Sequence, residues 1–509
     1  MGALITLSFA PYLGKLGFYS DDWGFFGNFS VSPDQSLGGL FRALYWSTRM
    51  RPAQVLYDAE LYRLFGLHPL GYHLVNAAVI VATGLLIYQV LRELGQSRSV
   101  CLAVPLLYAV LPHYSTARVW YASFQAPLSV LLYLVSLQAG LRSLRASGRS
   151  GLVWGGLSVL ALLASALCYE AALPLFLLNA ALFAWRGGRT LPVLTVAALG
   201  AAMAFKLLTS DRLAPGLTWD AAVVLIRESV RINAWVYGLA APRTVWRAAV
   251  AVPRVDLVFA ALLLGAAYWA LQRTADSPGP RSGDAARLVG WGLLVTLLGQ
   301  VVFLATNDVA FSATGNANRI AVAWAAGIAL MIVGLVAWLA ARARPAAQAR
   351  VFAAALAVVV AAAFVTSMSL TAAWAAAYRE QLRVLSAIRR AVPALPPGAT
   401  LLLEGECSYI GPAIVFESSW DLRGALWLLY RDSTIRADIV APRLKVASDG
   451  VHVLANVYPY DRLTIFDMRR QVADPIPNEA AAEAHFARFN PDRSSGCPRG
   501  RFGEGVRPF

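Results

Sequence analysis

Charge is what this chain has least of. Only 14% of its 509 residues are Asp, Glu, Lys or Arg, against 58% hydrophobic residues and a mean hydropathy of +0.56. That balance excludes an ordinary soluble enzyme and points to a polytopic membrane protein. Lysine is almost missing: Lys15, Lys206 and Lys445 are the three present. No CxxC or His/Cys spacing occurs, which removes a zinc site. The opening stretch MGALITLSFAPYLGKLGF has no basic leader and no small-residue cleavage site, so a retained anchor is expected rather than a signal peptide. No internal repeat marks a transporter built from two similar halves.

What charge there is has a pattern. The net charge of +15 is nearly all arginine, and its placement argues against nucleic acid. Many arginines sit in short loops between apolar segments, where positive-inside sorting puts them. A helix needs about 20 apolar residues to cross the hydrocarbon. Candidate spans lie at 1–18, 70–91, 99–114, 122–141, 151–168, 171–185, 190–208, 255–272, 288–306, 320–341 and 351–369, about eleven in all. One alternate set of loops holds Arg92 and Arg98; Arg142, Arg145 and Arg149; Arg186 and Arg189; Arg273, Arg281 and Arg287; Arg342, Arg344 and Arg350. These loops are assigned to the cytoplasm. The 19–69 loop, the 209–254 loop, the NDVAFSATGNANR turn and the tail after about 370 then face the periplasm or cell exterior.

The outward loops mix apolar and charged residues at helical spacing, as in LGGLFRALYWSTRM, PAQVLYDAELYRLFG and the 218–247 stretch. Such helices lie along a membrane interface and would roof a groove open to lipid and water. The tail reads as a small α+β domain over 370–509, beside a membrane domain over 1–369. Cys407 and Cys497 both fall in it, and a disulfide between them suits an extracytoplasmic compartment. It would stabilise by roughly 4 kcal/mol.

The most informative string is GFYSDDWGFF, with Asp21 and Asp22 adjacent at the exit of the first apolar stretch. Acids at that depth are expensive and mark a functional site by default. YSDDW, RPAQVLYDAELYRLFGLHPLGYHLVNAAV, LPHYSTARVWYAS, CYEAALPLF and TGNANRI, in this order and sidedness, resemble the GT-C superfold glycosyltransferases, the group of protein O-mannosyltransferases and aminoarabinose transferases. The resemblance covers roughly residues 1–330. Ala117, where related sequences often carry an acid, and Tyr169, where many have Lys before the Glu, depart from it and leave sugar and acceptor open.

The resemblance implies a mainly α membrane bundle that takes a sugar from a polyprenyl-phosphate-linked donor and gives it to a glycan, lipid or protein acceptor. The acceptor hydroxyl must lose a proton as it attacks, which suits a carboxylate base. Asp21 is assigned that role, and Asp22 the role of orienting the acceptor or holding a cation. The order of the two is interchangeable at this stage. No metal is required, although paired acids can hold Mg²⁺ or Mn²⁺.

The departing lipid phosphate needs cations. Arg319 and Lys206 are favoured, with Arg118 and His113 as further phosphate ligands. Arg51, His73, Glu170 and Arg243 are candidates for substrate contact. His73 and Asn76 share one helical face and could equally serve interhelical hydrogen bonds, and Glu170 a structural ion pair. Asp58 and Glu60 read as solvated. A flippase would place charge deep in mid-span, and a polysaccharide polymerase or ligase would rest on outer arginines without an early acid pair.

Overall fold

The computed structural model describes residues 1–210, 219–274, 282–305, 311–440 and 444–487. Among these, seven helices are long and apolar enough to cross a membrane. An eighth span is added if Asn316–Val322 and Ala325–Ala340, bent by 68°, are taken as one. Several have most of their apolar surface turned outward: the apolar windows of Gly148–Cys168, Thr190–Thr209, Arg254–Arg273 and Gly283–Leu304 are only 28–33% buried. Side chains such as Leu152 and Leu208 stand 77% and 86% exposed. Helices apolar on their outer faces need lipid as their solvent.

The count of eleven spans is not reached because three expected spans are short or broken. Residues 1–18 form a helix only over Gly2–Leu7 and then proceed through turns past Pro11. The second short segment, Arg98–Val110, stops where Leu111 precedes Pro112 and takes an extended conformation, because the proline ring disfavours a helical residue before it. Leu175–Trp185 is 11 residues long.

The two ends of the bundle differ. At one end Glu93 meets Arg145 (3.6 Å), Gln138 and Arg186, while Ser99 bonds the Thr274 carbonyl and Gln272 that of Ala349. The arginine-rich loops therefore gather together. At the other end lie Tyr19–Asp22, Arg51, the turns of 112–123, Glu170, Lys206 and Arg319. The sidedness inferred from arginine counting groups these same loops.

The last helix, Gln348–Ala391, has 44 residues and would extend about 66 Å at 1.5 Å per residue. That is twice the hydrocarbon thickness, so its second half emerges at the Asp21 end and carries the tail. The boundary placed at 369/370 falls inside this helix. Beyond it, Arg436–Ile439, Thr400–Glu404, Leu463–Asp467 and Val472–Pro475 form a sheet in that order, the first three strands parallel and the last antiparallel. Leu401 and Leu403 face the main core while Leu402 faces a separate one with Val451, Ile465 and Ile476. The run LLL is apolar throughout because both faces are covered. Leu444–Ala447, Gly450–Val453 and Asn456–Tyr458 add a small meander. Cys407 is disulfide-bonded; Cys497, its expected partner, lies outside the described residues. Cys101 and Cys168 are free thiols.

Candidate active site

Asp21 and Asp22 open the helix Asp21–Val31, and the structure separates their surroundings. Asp22 is fully buried. Its Oδ2 accepts from the Tyr19 N–H (2.8 Å), reaching back three residues as the acid of a capping box does, and its Oδ1 accepts from the Ala122 N–H (2.7 Å). Burial pushes its pKa well up, with the two N–H bonds pulling the other way and the charges of Asp21 and Asp58 adding to the rise. Both oxygens are thus committed to backbone, which leaves Asp22 ill placed to orient an acceptor or hold a cation. Asp21, half-buried on the next position round the helix, lies close enough to Arg51 to favour its charged form.

Arg51 ends the loop before the helix Pro52–Phe65. Its Nε donates to Glu170 Oε2 (3.0 Å) and its Nη2 to Oε1. This is a two-pronged pair of the kind arginine makes with carboxylates, and the side chains are 17% and 16% exposed. Lys206 Nζ stands 3.6 Å from Glu170 Oε2 and donates to the Met50 carbonyl at 2.7 Å. Burial alone would raise the pKa of Glu170, but Arg51 and Lys206 overcome it and hold the group down at about 2. The Arg51 guanidinium also lies over the Tyr169 ring at 4.6 Å.

Arg319 lies within electrostatic reach of the same tyrosine and 4.9 Å over the Trp120 ring, and its Nη1 donates to the Asn316 carbonyl at 2.9 Å. Its neighbour Asn318 fixes it there. The Asn318 amide donates to Pro112 O and Ala313 O, and its oxygen accepts from Thr116 N and Ser115 Oγ. The TGNANR turn is thereby locked to the 112–123 segment. Trp120 in turn donates to the Tyr19 carbonyl at 2.8 Å, so the ring under Arg319 also braces the residue two before Asp21. Among the described residues no carboxylate pairs with Arg319.

Other expected ligands lie elsewhere. Arg118 is 4% exposed, packs 4.4 Å over Phe9 and turns toward Ser8, so it serves the bundle interior rather than a phosphate. His113 is buried against Tyr237 at 4.4 Å, and burial pushes its pKa down to about 3; a neutral ring gives a phosphate no charge. His73 bonds the Gly17 carbonyl (3.2 Å), and Asn76 bonds the carbonyls of Ala117 and Arg118, which is the interhelical role. Arg243 is exposed on the helix Ala241–Ala251, outside this cluster.

Asp58 is a correction. Expected to be solvated, it is instead fully buried beside Gln54 (3.3 Å), and burial raises its pKa to about 8. Its helix turns this face inward, against Tyr121, whose hydroxyl bonds the Asp58 carbonyl. Sequence reasoning also missed Trp120 and Tyr169 as members of the cluster. The aromatic run VWYAS beside a proline turn was the available signal.

The fold and cluster define a multi-pass membrane helix bundle with an ionic site at one end. No family model matches the chain. It is 31% identical to protein O-mannosyl-transferase Tmtc1 of Drosophila melanogaster across 34% of this chain, and spans 21% of that protein's length. That protein is named for the same group of activities that the motifs resemble. Among solved structures, ArnT from Cupriavidus metallidurans bound to undecaprenyl phosphate is similar at a TM-score of 0.40 and 15% identity, covering 87% of this chain and 85% of that one. The apo state of the same protein gives 0.37 and 13%, covering 87% and 84%.

Proposed function

We propose that this chain is an integral-membrane glycosyltransferase that moves a sugar from a polyprenyl-phosphate-linked donor to an acceptor hydroxyl. The observation that carries the reading is a cluster at one end of a lipid-exposed bundle, in which Asp21 acts on the charge of Arg51, Arg51 and Lys206 share Glu170, and Arg319 lies over Trp120. An acid for the proton and cations for a leaving phosphate are what this transfer needs. In the step, the acceptor oxygen attacks C1 of the sugar, the bond from C1 to the phosphate oxygen breaks, and Asp21 takes the hydroxyl proton. The lipid phosphate leaves with its charge facing Arg319, while Arg51 and Lys206 are held in place by Glu170.

A divalent cation finds little support in the donor set. Among the described residues no three His, Cys, Asp or Glu side chains converge, and both Asp22 oxygens are engaged. The arginine-rich end supports a plasma-membrane orientation with the site and tail on the periplasmic or extracellular side.

The test is to incubate purified protein with a panel of undecaprenyl-phospho-sugars and follow release of undecaprenyl phosphate, with and without acceptor extracts. Release in at least one arm is expected. Transfer of intact donor across vesicles without cleavage would favour the flippase instead, and use of oligosaccharide donors alone the polymerase or ligase.

A further inference from the structure

The residue just before the acid pair is held in an uncommon conformation. Ser20 has φ 46° and ψ −117°, a region that L-residues with a side chain enter at a cost and that persists where surroundings enforce it. Part of the enforcement is local. Tyr19 is pinned by its N–H on Asp22, by Trp120 on its carbonyl, and by its ring against Trp374 at 4.7 Å. The rest comes from the tail, some 400 residues away in sequence. Ser20 Oγ donates to Glu417 Oε1 at 2.7 Å, and the other oxygen of Glu417 accepts from the Tyr409 hydroxyl.

Glu417 is itself rigidly presented. Its N–H donates to Asp421 Oδ2 (2.8 Å), and Asp421, fully buried, also accepts from the N–H groups of Ser418 and Leu422. Gln381 on the long helix bonds the Val415 carbonyl at 2.7 Å. The helix Ser419–Tyr430 that follows lies directly against Asp21–Val31. A Cβ on Gly27 would come within 2.9 Å of Gly424 Cα, and one on Gly424 within 2.3 Å of the Trp23 carbonyl oxygen. The two backbones touch where neither side has room for a side chain.

We infer that Glu417 is a positioning residue of the transfer site: the outer domain reaches through it to hold the Ser20 turn that aims the Asp21 carboxylate. The inference rests on the proposed transferase reading and deepens it, because it makes the tail part of the site rather than an appendage. Glu417 touches neither donor nor acceptor in this account; it acts through Ser20.

The test uses the full-length protein in detergent, with two readouts. Hydrogen–deuterium exchange follows the amides of Asp22 and Trp23, which bond back to Tyr19 and Ser20 across this turn. Glu417→Ala is expected to speed their exchange at least about tenfold. Glu417→Gln, whose amide oxygen still accepts from Ser20, should leave it unchanged. With whichever undecaprenyl-phospho-sugar the wild type cleaves, Glu417→Ala and Ser20→Ala should each lower kcat about tenfold with KM for the donor within twofold. The double variant should be no worse than either, since coupled residues are non-additive. Glu417→Gln should recover kcat.

Unchanged exchange in Glu417→Ala, or losses that multiply in the double variant, would overturn the inference. Asp21→Asn is measured alongside. No release of undecaprenyl phosphate by the wild type defeats the transferase reading, full turnover in Asp21→Asn defeats the role of Asp21 as base, and a dead Asp21→Asn with a fully active Glu417→Ala defeats only the role of Glu417. The exchange arm decides the latter without any substrate.

Discussion

Glu170 offers the sharpest energetic test, because its charge sits between two cations with little water. Its carboxyl is held at about 2 against an ordinary 4.5. At about 1.4 kcal/mol per pH unit this corresponds to about 3 kcal/mol of folding stability. The folded value lies below the unfolded one, so this stability is fully present above about pH 4.5 and is lost as pH falls through about 2. In Glu170→Gln the pair is broken while Arg51 and Lys206 remain side by side, a change that costs about 3–5 kcal/mol for a buried ion pair. Thermal unfolding midpoints in detergent, taken from pH 7 down to pH 3, separate the two proteins. The variant should unfold well below the wild type at pH 7, and the gap should narrow steadily below pH 4.5. A gap that is absent at neutral pH, or that stays constant on acidification, would refute the assignment of Glu170 as the anion that holds Arg51 and Lys206.

The remaining predictions follow from the same geometry. Asp22→Asn should lower stability by about 2 kcal/mol, since an amide cannot accept from both backbone N–H groups, whereas Asp21→Asn should leave the unfolding midpoint within about a degree; equal effects would contradict the division between them. Asp58, with its pKa raised to about 8, contributes stability below about pH 4 that is lost as pH rises through about 8. Asp58→Asn should therefore gain on the wild type between pH 6 and pH 9, and the same offset at both would refute this. Arg319→Ala should weaken undecaprenyl phosphate binding at least about tenfold, read by thermal stabilisation with added lipid; unchanged binding would remove Arg319 from the phosphate site.

How much of this was legible beforehand depends on distance along the chain. The acid pair drew notice as two adjacent carboxylates beside aromatics at a span's edge, but nothing in the string YSDDW says that Asp22 would turn inward to cap the Tyr19 and Ala122 N–H groups. Which loops share an end of the bundle was legible because arginine sorting acts loop by loop. The Arg51–Glu170 pair was not, since its members are 119 residues apart and each reads alone as an interface charge. Asp58 misled because it lies on an amphipathic helix whose inner face carries Gln54 and Asp58 among apolar neighbours, so periodicity could not say which face was wet. The span count failed at Pro11 and Pro112, where prolines convert apolar runs into turns. The contact between Ser20 and Glu417 joins the start of the helix Asp21–Val31 to the tail domain, and nothing local in either segment specifies it.

The central claim is that Asp21 removes the acceptor's proton beside cations that receive the lipid phosphate. Measuring turnover and undecaprenyl phosphate binding in Asp21→Asn tests it most directly. The account predicts turnover reduced at least about a hundredfold, the scale of a lost general base, with lipid binding retained. Turnover at the wild-type rate would contradict it.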